Sequence, residues 1–115
     1  MDLGILSREQ NEVLERLKKS ALSNNLFYLV GGTGLAIILA HRKSYDFDFF
    51  SEDQFSTDKL LEIIVKSFEE DEVILSEIKE DTLIVFINNI QVSFFQYNYP
   101  LLKNIIKKMD YVLLL

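Results

Sequence analysis

Apolar residues recur at helical spacing in two segments of the chain, 8–23 and 57–70. A serine stands at the N-terminal capping position of each segment, Ser7 before the first and Ser56 before the second. Both segments are therefore predicted to be amphipathic helices. Their expected inward residues are Val13, Leu14, Leu17, Ala21, Leu22, Leu60, Leu61, Ile64 and Phe68.

Strand-like patterns occupy five further segments, at 26–30, 45–50, 73–80, 82–87 and 90–95. Within 45–50 the residues alternate, which places Asp46 and Asp48 on one face of the strand and Phe47 and Phe49 on the other. We expect the aromatic face to point into the core and the carboxylate face to be left open. Residues 88–89 are a pair of asparagines, which suits a two-residue hairpin turn.

Three shorter segments complete the pattern. Residues 33–40 and 101–108 predict short helices, the first of them buried because it is apolar on all sides. The apolar residues 111–115 are expected inside a core or docked against another surface. The predicted fold class is α+β, a single domain over residues 1–115 in which helices flank a mixed sheet.

Composition narrows the chemistry that the chain can support. Of its 115 residues 49% are hydrophobic and 12% aromatic, which is too much buryable surface for a disordered chain. With no cysteine and one histidine, the chain has no disulfide, no thiolate zinc site and no multi-histidine metal cluster. A metal would need oxygen ligands, which favours Mg²⁺ or Mn²⁺.

Charge and hydropathy exclude two classes of partner. The net charge is −6 and no basic stripe is present, so tight nonspecific DNA binding is not expected. The acidic run at 69–72 is expected to be a solvated helix end or loop. Two uncharged stretches, 20–41 and 82–102, are interrupted by glycine or polar residues, so neither is predicted to span a membrane. The first ten residues lack the features of a secretion signal, and a cytoplasmic protein is expected.

A glycine turn and a pair of carboxylates carry the chemistry. Asp46 and Asp48, two residues apart on one strand face, lie about 7 Å apart along the strand at ~3.3 Å per residue. Their oxygens can converge on one or two hard cations, as in the two-metal arrangement for nucleotidyl transfer. Gly31 and Gly32, at the start of a predicted helix, offer backbone N–H groups to phosphate with no Cβ in the way.

Other interpretations of these residues have weaker support. A dinucleotide-binding fingerprint beginning at Gly32 fails at its third glycine, where Ile37 stands. A Ser-His-Asp set would have only His41 and lacks an elbow motif. His41 is more typical of a structural residue than of a catalytic one. For Arg42 and Lys43 the alternative role is to neutralise the negative charge of the acidic residues nearby. An isolated Asp-Phe-Asp also occurs on edge strands, where exposed acidic residues prevent aggregation with other strands. The aromatic residues at 47–50 and 94–95 are expected in the core rather than as a base-stacking platform.

Two motifs together suggest a family. Residues 27–36 read FYLVGGTGLA and residues 41–51 read HRKSYDFDFFS. This combination closely resembles the AbiEii/AbiGii toxin family of the DNA polymerase β-like nucleotidyltransferases, and residues 92–102 are similar to the family's middle region. The similarity spans residues 8–102 and implies a nucleotidyltransferase fold.

The resemblance also implies a function and a set of site residues. Members transfer a nucleotide from a nucleoside triphosphate to an acceptor, in the toxin branch an RNA, notably tRNA. A toxin of a toxin-antitoxin or abortive-infection system implies an antitoxin protein as partner. The implied residues are Asp46 and Asp48 for catalysis and Mg²⁺ (or Mn²⁺), Gly31, Gly32 and Thr33 for the triphosphate, and Arg42 and Ser44 for further phosphate contacts.

Two departures from the family pattern favour an alternative. The superfamily commonly supplies a third carboxylate from a neighbouring strand, but residues 82–95 contain no Asp or Glu, and Gln91 and Ser93 stand on the face where one would be sought. The helical C-terminal half of the family is also absent from the 115 residues. The alternative is a catalytically inactive, truncated remnant that only binds nucleotide or antitoxin, or else a fragment whose missing half restores function.

Overall fold

The computed structural model of the protein describes residues 7–22, 27–30, 47–96 and 112–114. These ranges contain two helices and six strands. They are α1 (Arg8–Lys19), β1 (Tyr28–Val30), β2 (Phe47–Ser51), α2 (Thr57–Ser67), β3 (Val73–Lys79), β4 (Thr82–Ile87), β5 (Ile90–Gln96) and β6 (Val112–Leu114). The helices predicted over 33–40 and 101–108 lie outside the described residues.

Helix α1 begins where the sequence predicts and ends four residues earlier. Ser7 and Gln10 form the reciprocal capping box, in which the Ser7 Oγ accepts from the Gln10 N–H at 3.1 Å and the Gln10 Oε1 accepts from the Ser7 N–H at 2.9 Å. At the other end Ser20 leaves the helical conformation, and the Leu22 N–H donates to the Leu17 carbonyl at 2.9 Å. This tight turn keeps Leu22 buried without a further helical turn.

Helix α2 is capped by Ser56, whose Oγ accepts from the Lys59 N–H at 3.2 Å. The helix ends at Ser67 rather than at residue 70, and Phe68 turns inward with a non-helical ψ of 40°. Arg16 of α1 explains this early end, because its Nη2 donates to the Ser67 carbonyl at 2.6 Å. Arg16 therefore satisfies one of the carbonyl groups that a helix end leaves without a partner.

The six strands form one mixed sheet in the order β3-β4-β5-β2-β1-β6. Strands β2 and β5 are parallel, and every other neighbouring pair is antiparallel. The five predicted strands are confirmed, and their described ends lie within two residues of the predicted ones. Strand β6 arises from the apolar segment 111–115 and pairs with β1, so that segment docks on the protein's own sheet. The α+β prediction is confirmed.

The hairpin between β4 and β5 turns as expected. Asn88 and Asn89 both have positive φ, at 50° and 68°, which matches the two-residue turn that suits the twist of paired strands. Ile87 and Ile90 then pair directly across the turn. The asparagine pair thus fixes the register of the whole hairpin.

The core lies between the two helices and one face of the sheet. Its buried residues include the inward stripe of both helices and the odd-numbered positions of β4: Val13, Leu14, Leu17, Leu60, Ile64, Phe68, Leu83, Val85 and Ile87. Phe47 and Phe49 of β2 join them, with Phe94 of β5 stacked on Phe49 at 5.3 Å between ring centroids. The prediction that these aromatic residues are core residues is confirmed. Neither helix in the described ranges has the length and apolar character needed to cross a membrane.

Candidate functional site

Asp48 occupies the middle of the sheet. Strand β2 carries it between β5 on one side and β1 on the other. Because successive side chains on a strand alternate between faces, Asp48 lies on the face opposite Phe47, Phe49 and the two helices. The predicted separation of Asp48 from Phe47 and Phe49 is therefore confirmed.

Asp48 is buried rather than open. The residue is only 2% exposed to solvent, so the expectation of an open carboxylate face is wrong at this position. Ser93 contributes to this burial: it stands directly beside Asp48 in the parallel ladder, and the Ser93 Oγ lies 2.5 Å from the Asp48 Oδ1. The same Oγ lies 3.3 Å from the Phe47 carbonyl oxygen.

The surroundings of this polar pair are apolar. Phe50 and Phe95 stack with ring centroids 5.4 Å apart, and they lie two strand positions beyond Asp48 and Ser93 respectively. Ile84 of β4, which pairs with Ser93, is buried as well. With little water nearby, electrostatic interactions at the Asp48 carboxylate are stronger than they would be on the surface.

The end of β1 lies level with Asp48. Strand β1 pairs with β2 through Tyr28 opposite Phe50 and Leu29 opposite Phe49. Continuing this antiparallel register by one residue places Val30 opposite Asp48, and Gly31 follows Val30 in the sequence. The topology therefore brings the last residue of β1, which precedes Gly31 in the sequence, to the level of Asp48.

Most of the predicted site residues lie outside the described ranges: Gly31, Gly32, Thr33, Arg42, Ser44 and Asp46. Asp48 is described, and the residue that the structure adds to it is Ser93. The sequence placed Ser93 and Gln91 on the face where a third carboxylate would be sought, but it did not indicate which of them meets Asp48. That choice depends on the parallel register of β2 and β5, which the local pattern does not encode.

The donor set at this position suits a hard cation. A carboxylate and a hydroxyl supply oxygen atoms, the ligands preferred by Mg²⁺ and Mn²⁺. Within the described parts of the chain, no group of three or more His, Asp or Glu side chains could hold a metal ion. Asp48 would therefore need other oxygen donors, such as phosphate oxygens of a nucleotide, to complete a metal site.

A second polar cluster joins three elements away from the sheet face of Asp48. Asp71 accepts from Arg16 Nη1 at 2.6 Å and from Asn88 Nδ2 at 2.8 Å. These hydrogen bonds hold the pKa of Asp71 below its usual value of 3.8, and the bond from Asn88 has the larger effect. The positive charge of Arg16 lowers the pKa further. The Arg16 guanidinium also lies 4.2 Å above the Phe68 ring. This cluster is structural, because its donors and acceptors satisfy one another.

Comparison with known proteins decides the family. The family described as "Nucleotidyl transferase AbiEii toxin, Type IV TA system" matches residues 12–109. The chain belongs to the AbiEii family. The match covers both motifs on which the sequence resemblance rests, at 27–36 and 41–51, and confirms that resemblance.

Individual relatives differ in how much they share with this AbiEii chain. An uncharacterized protein of Aquifex aeolicus (strain VF5) is 40% identical over 112 residues, which cover 91% of this chain and 50% of the relative. The chain thus spans about half the length of this curated relative.

Two solved structures are similar at low identity. A tRNA-processing enzyme in its apo form I shares 18% identity at a TM-score of 0.49, over 81% of this chain and 24% of that one. An H. pylori protein assigned as a nucleotidyltransferase shares 15% identity at a TM-score of 0.44, over 83% of this chain and 48% of that one.

Proposed function

We propose that this AbiEii chain is a metal-dependent nucleotidyltransferase of toxin type, which transfers a nucleotide from a nucleoside triphosphate to tRNA. Asp46 and Asp48 hold Mg²⁺ or Mn²⁺ in this proposal, and they are its catalytic residues. The residues proposed to bind the nucleotide are Gly31, Gly32, Thr33, Arg42 and Ser44. An antitoxin protein and a cytoplasmic location belong to the same proposal, since the family is described as part of a type IV toxin-antitoxin system.

One observation supports this proposal beyond family membership. The buried carboxylate of Asp48 lies level with the end of β1, and the glycine pair follows one residue later. A metal ion can link a carboxylate to a triphosphate only if the backbone turn that binds the phosphates lies next to that carboxylate. The pairing of β1 with β2 supports such a proximity, because it brings the last strand residue before the glycine pair level with Asp48.

The proposed reaction needs no nucleophilic side chain. An acceptor hydroxyl oxygen bonds to the α-phosphorus, the bond from that phosphorus to pyrophosphate breaks, and the hydroxyl proton passes to solvent. A bound divalent cation would stabilise the negative charge on the attacking and leaving oxygens. Asp48 and Asp46 would hold that cation, while the N–H groups of Gly31 and Gly32 would orient the triphosphate for displacement.

A transfer assay tests the proposal. The purified chain is incubated with each α-³²P-labelled nucleoside triphosphate, Mg²⁺ and total tRNA, and the RNA is separated by electrophoresis. Labelled tRNA is expected, and both EDTA and the Asp48→Asn variant should abolish the label. Equal labelling by the wild-type chain and Asp48→Asn would contradict the proposed role of Asp48.

A binding module without transfer activity is the second candidate. Ser93, a neutral residue, faces Asp48 on the neighbouring strand, where the superfamily commonly has a carboxylate. Binding of nucleotide by the chain with no labelling of any tRNA would support this candidate against the enzyme.

A further inference from the structure

The hydroxyl of Ser93 has one proton and two acceptors within reach. The Asp48 Oδ1 lies at 2.5 Å and the Phe47 carbonyl oxygen at 3.3 Å. Hydrogen bonds from a hydroxyl to a carboxylate are typically about 2.5–2.7 Å long, whereas 3.3 Å exceeds the usual range for a hydroxyl donor. Ser93 therefore donates to the carboxylate of Asp48.

A buried serine on β2, Ser51, provides a contrast to Ser93 of β5. Ser51 is fully buried, as Ser93 is, but its hydroxyl donates to the Asp53 carbonyl at 2.9 Å and accepts from the Asp53 N–H at 3.1 Å. The hydroxyl of Ser51 thus serves only the turn in which it stands. That of Ser93 reaches across 45 residues of sequence to a single carboxylate oxygen on another strand.

We infer that Ser93 is a positioning residue that fixes the carboxylate of Asp48 for metal binding. This inference rests on the proposed function and adds a residue to it. The terminal torsion of an aspartate side chain is broad, so a free carboxylate samples many orientations. A hydrogen bond to Oδ1 from a side chain that is itself completely buried restricts that rotation. Restricting a ligand in this way lowers the cost of placing it against a cation.

Binding of Mn²⁺ provides the test, because it is read without any turnover. The probe is Mn²⁺ alone, titrated into the 115-residue chain and followed by the electron paramagnetic resonance of the free ion. Ser93→Ala is expected to weaken Mn²⁺ binding about tenfold or more, the usual effect of removing a group that orients a metal ligand. Ser51→Ala is the matched control, since it removes a buried hydroxyl from β2 and should leave the Mn²⁺ affinity within about twofold.

A second pair of variants separates positioning from packing. Ser93→Thr and Ser93→Val add the same bulk at a buried site, but only threonine keeps the hydroxyl. Threonine is expected to bind Mn²⁺ more tightly than valine by about tenfold, with melting temperatures of the two variants close together. This pair decides the question even if Ser93→Ala does not fold.

The outcomes distinguish the inference from the proposed function. Equal Mn²⁺ affinity in Ser93→Thr and Ser93→Val, with binding lost in Asp48→Asn, would overturn the positioning role of Ser93 and leave the proposed function intact. Wild-type affinity in Asp48→Asn, or no binding by the wild-type chain, would contradict the proposed function itself.

Discussion

Asp71 shows how one residue joins three elements. It stands between α2 and β3, and it accepts hydrogen bonds from Arg16 of α1 and from Asn88 of the β4-β5 hairpin. The backbone supports the same junction, because the Asn88 N–H donates to the Glu72 carbonyl at 2.9 Å. The expectation that the run at 69–72 is only solvated is wrong for Asp71. The local sequence cannot reveal this, since Arg16 lies 55 residues away.

Replacing Asp71 with asparagine should lower the free energy of unfolding by about 1 kcal/mol at pH 7, a value reduced by the partial exposure of Arg16. Because the folded pKa of Asp71 is lowered, its contribution is complete above the unfolded value of 3.8 and is lost as the pH falls through the folded pKa. Urea denaturation of both chains at pH 7 and at a pH below 3.8 measures the difference, which should be smaller at the lower pH.

The exposed Glu70, in the same acidic run, supplies the control for Asp71. Glu70→Gln should change the free energy of unfolding by less than about 0.5 kcal/mol at either pH. A difference between the wild-type chain and Asp71→Asn that stays constant with pH would contradict the ionic contribution of Asp71.

The turn between β4 and β5 leads to a prediction about the stability of the hairpin. Asn89 has a φ of 68° and an exposed side chain, so its backbone conformation sets its energetic role. Asn89→Gly should preserve or slightly raise stability, whereas Asn89→Val should lower the free energy of unfolding by about 1–2 kcal/mol. Thermal and urea denaturation of the two variants tests this, and equal stability would contradict a strained turn at residue 89.

The beginnings of the two helices were easier to predict than their ends. Ser7 and Ser56 are caps whose hydrogen bonds are local in sequence, so the sequence places both helix starts correctly. The end of α2 at Ser67 involves Arg16 and Phe68, contacts that join α2 to α1. A tertiary contact therefore contributes to where α2 stops.

At the scale of the whole molecule, the sheet order creates the candidate site. Asp48 and Ser93 meet because β5 lies parallel to β2, although β3 and β4 intervene in the sequence. The alternation of residues along the strand predicts which face Asp48 occupies, but it contains no information about the neighbouring strand or its register. This explains why the α+β class and the carboxylate face were predicted, while the burial of Asp48 and its pairing with Ser93 were not.

The proposed function depends on Asp48 holding a metal that binds a nucleoside triphosphate beside the end of β1. Isothermal titration of ATP in the presence of Mg²⁺ into the wild-type chain, Asp48→Asn and Asp53→Asn tests it most directly. Asp53 is an exposed acid five residues further along, and its variant should bind as the wild-type chain does. Asp48→Asn is predicted to lose at least about tenfold in affinity with Mg²⁺ present, and to match the wild-type chain when EDTA is added. Equal Mg²⁺-dependent affinity in all three chains would rule out Asp48 as a metal ligand.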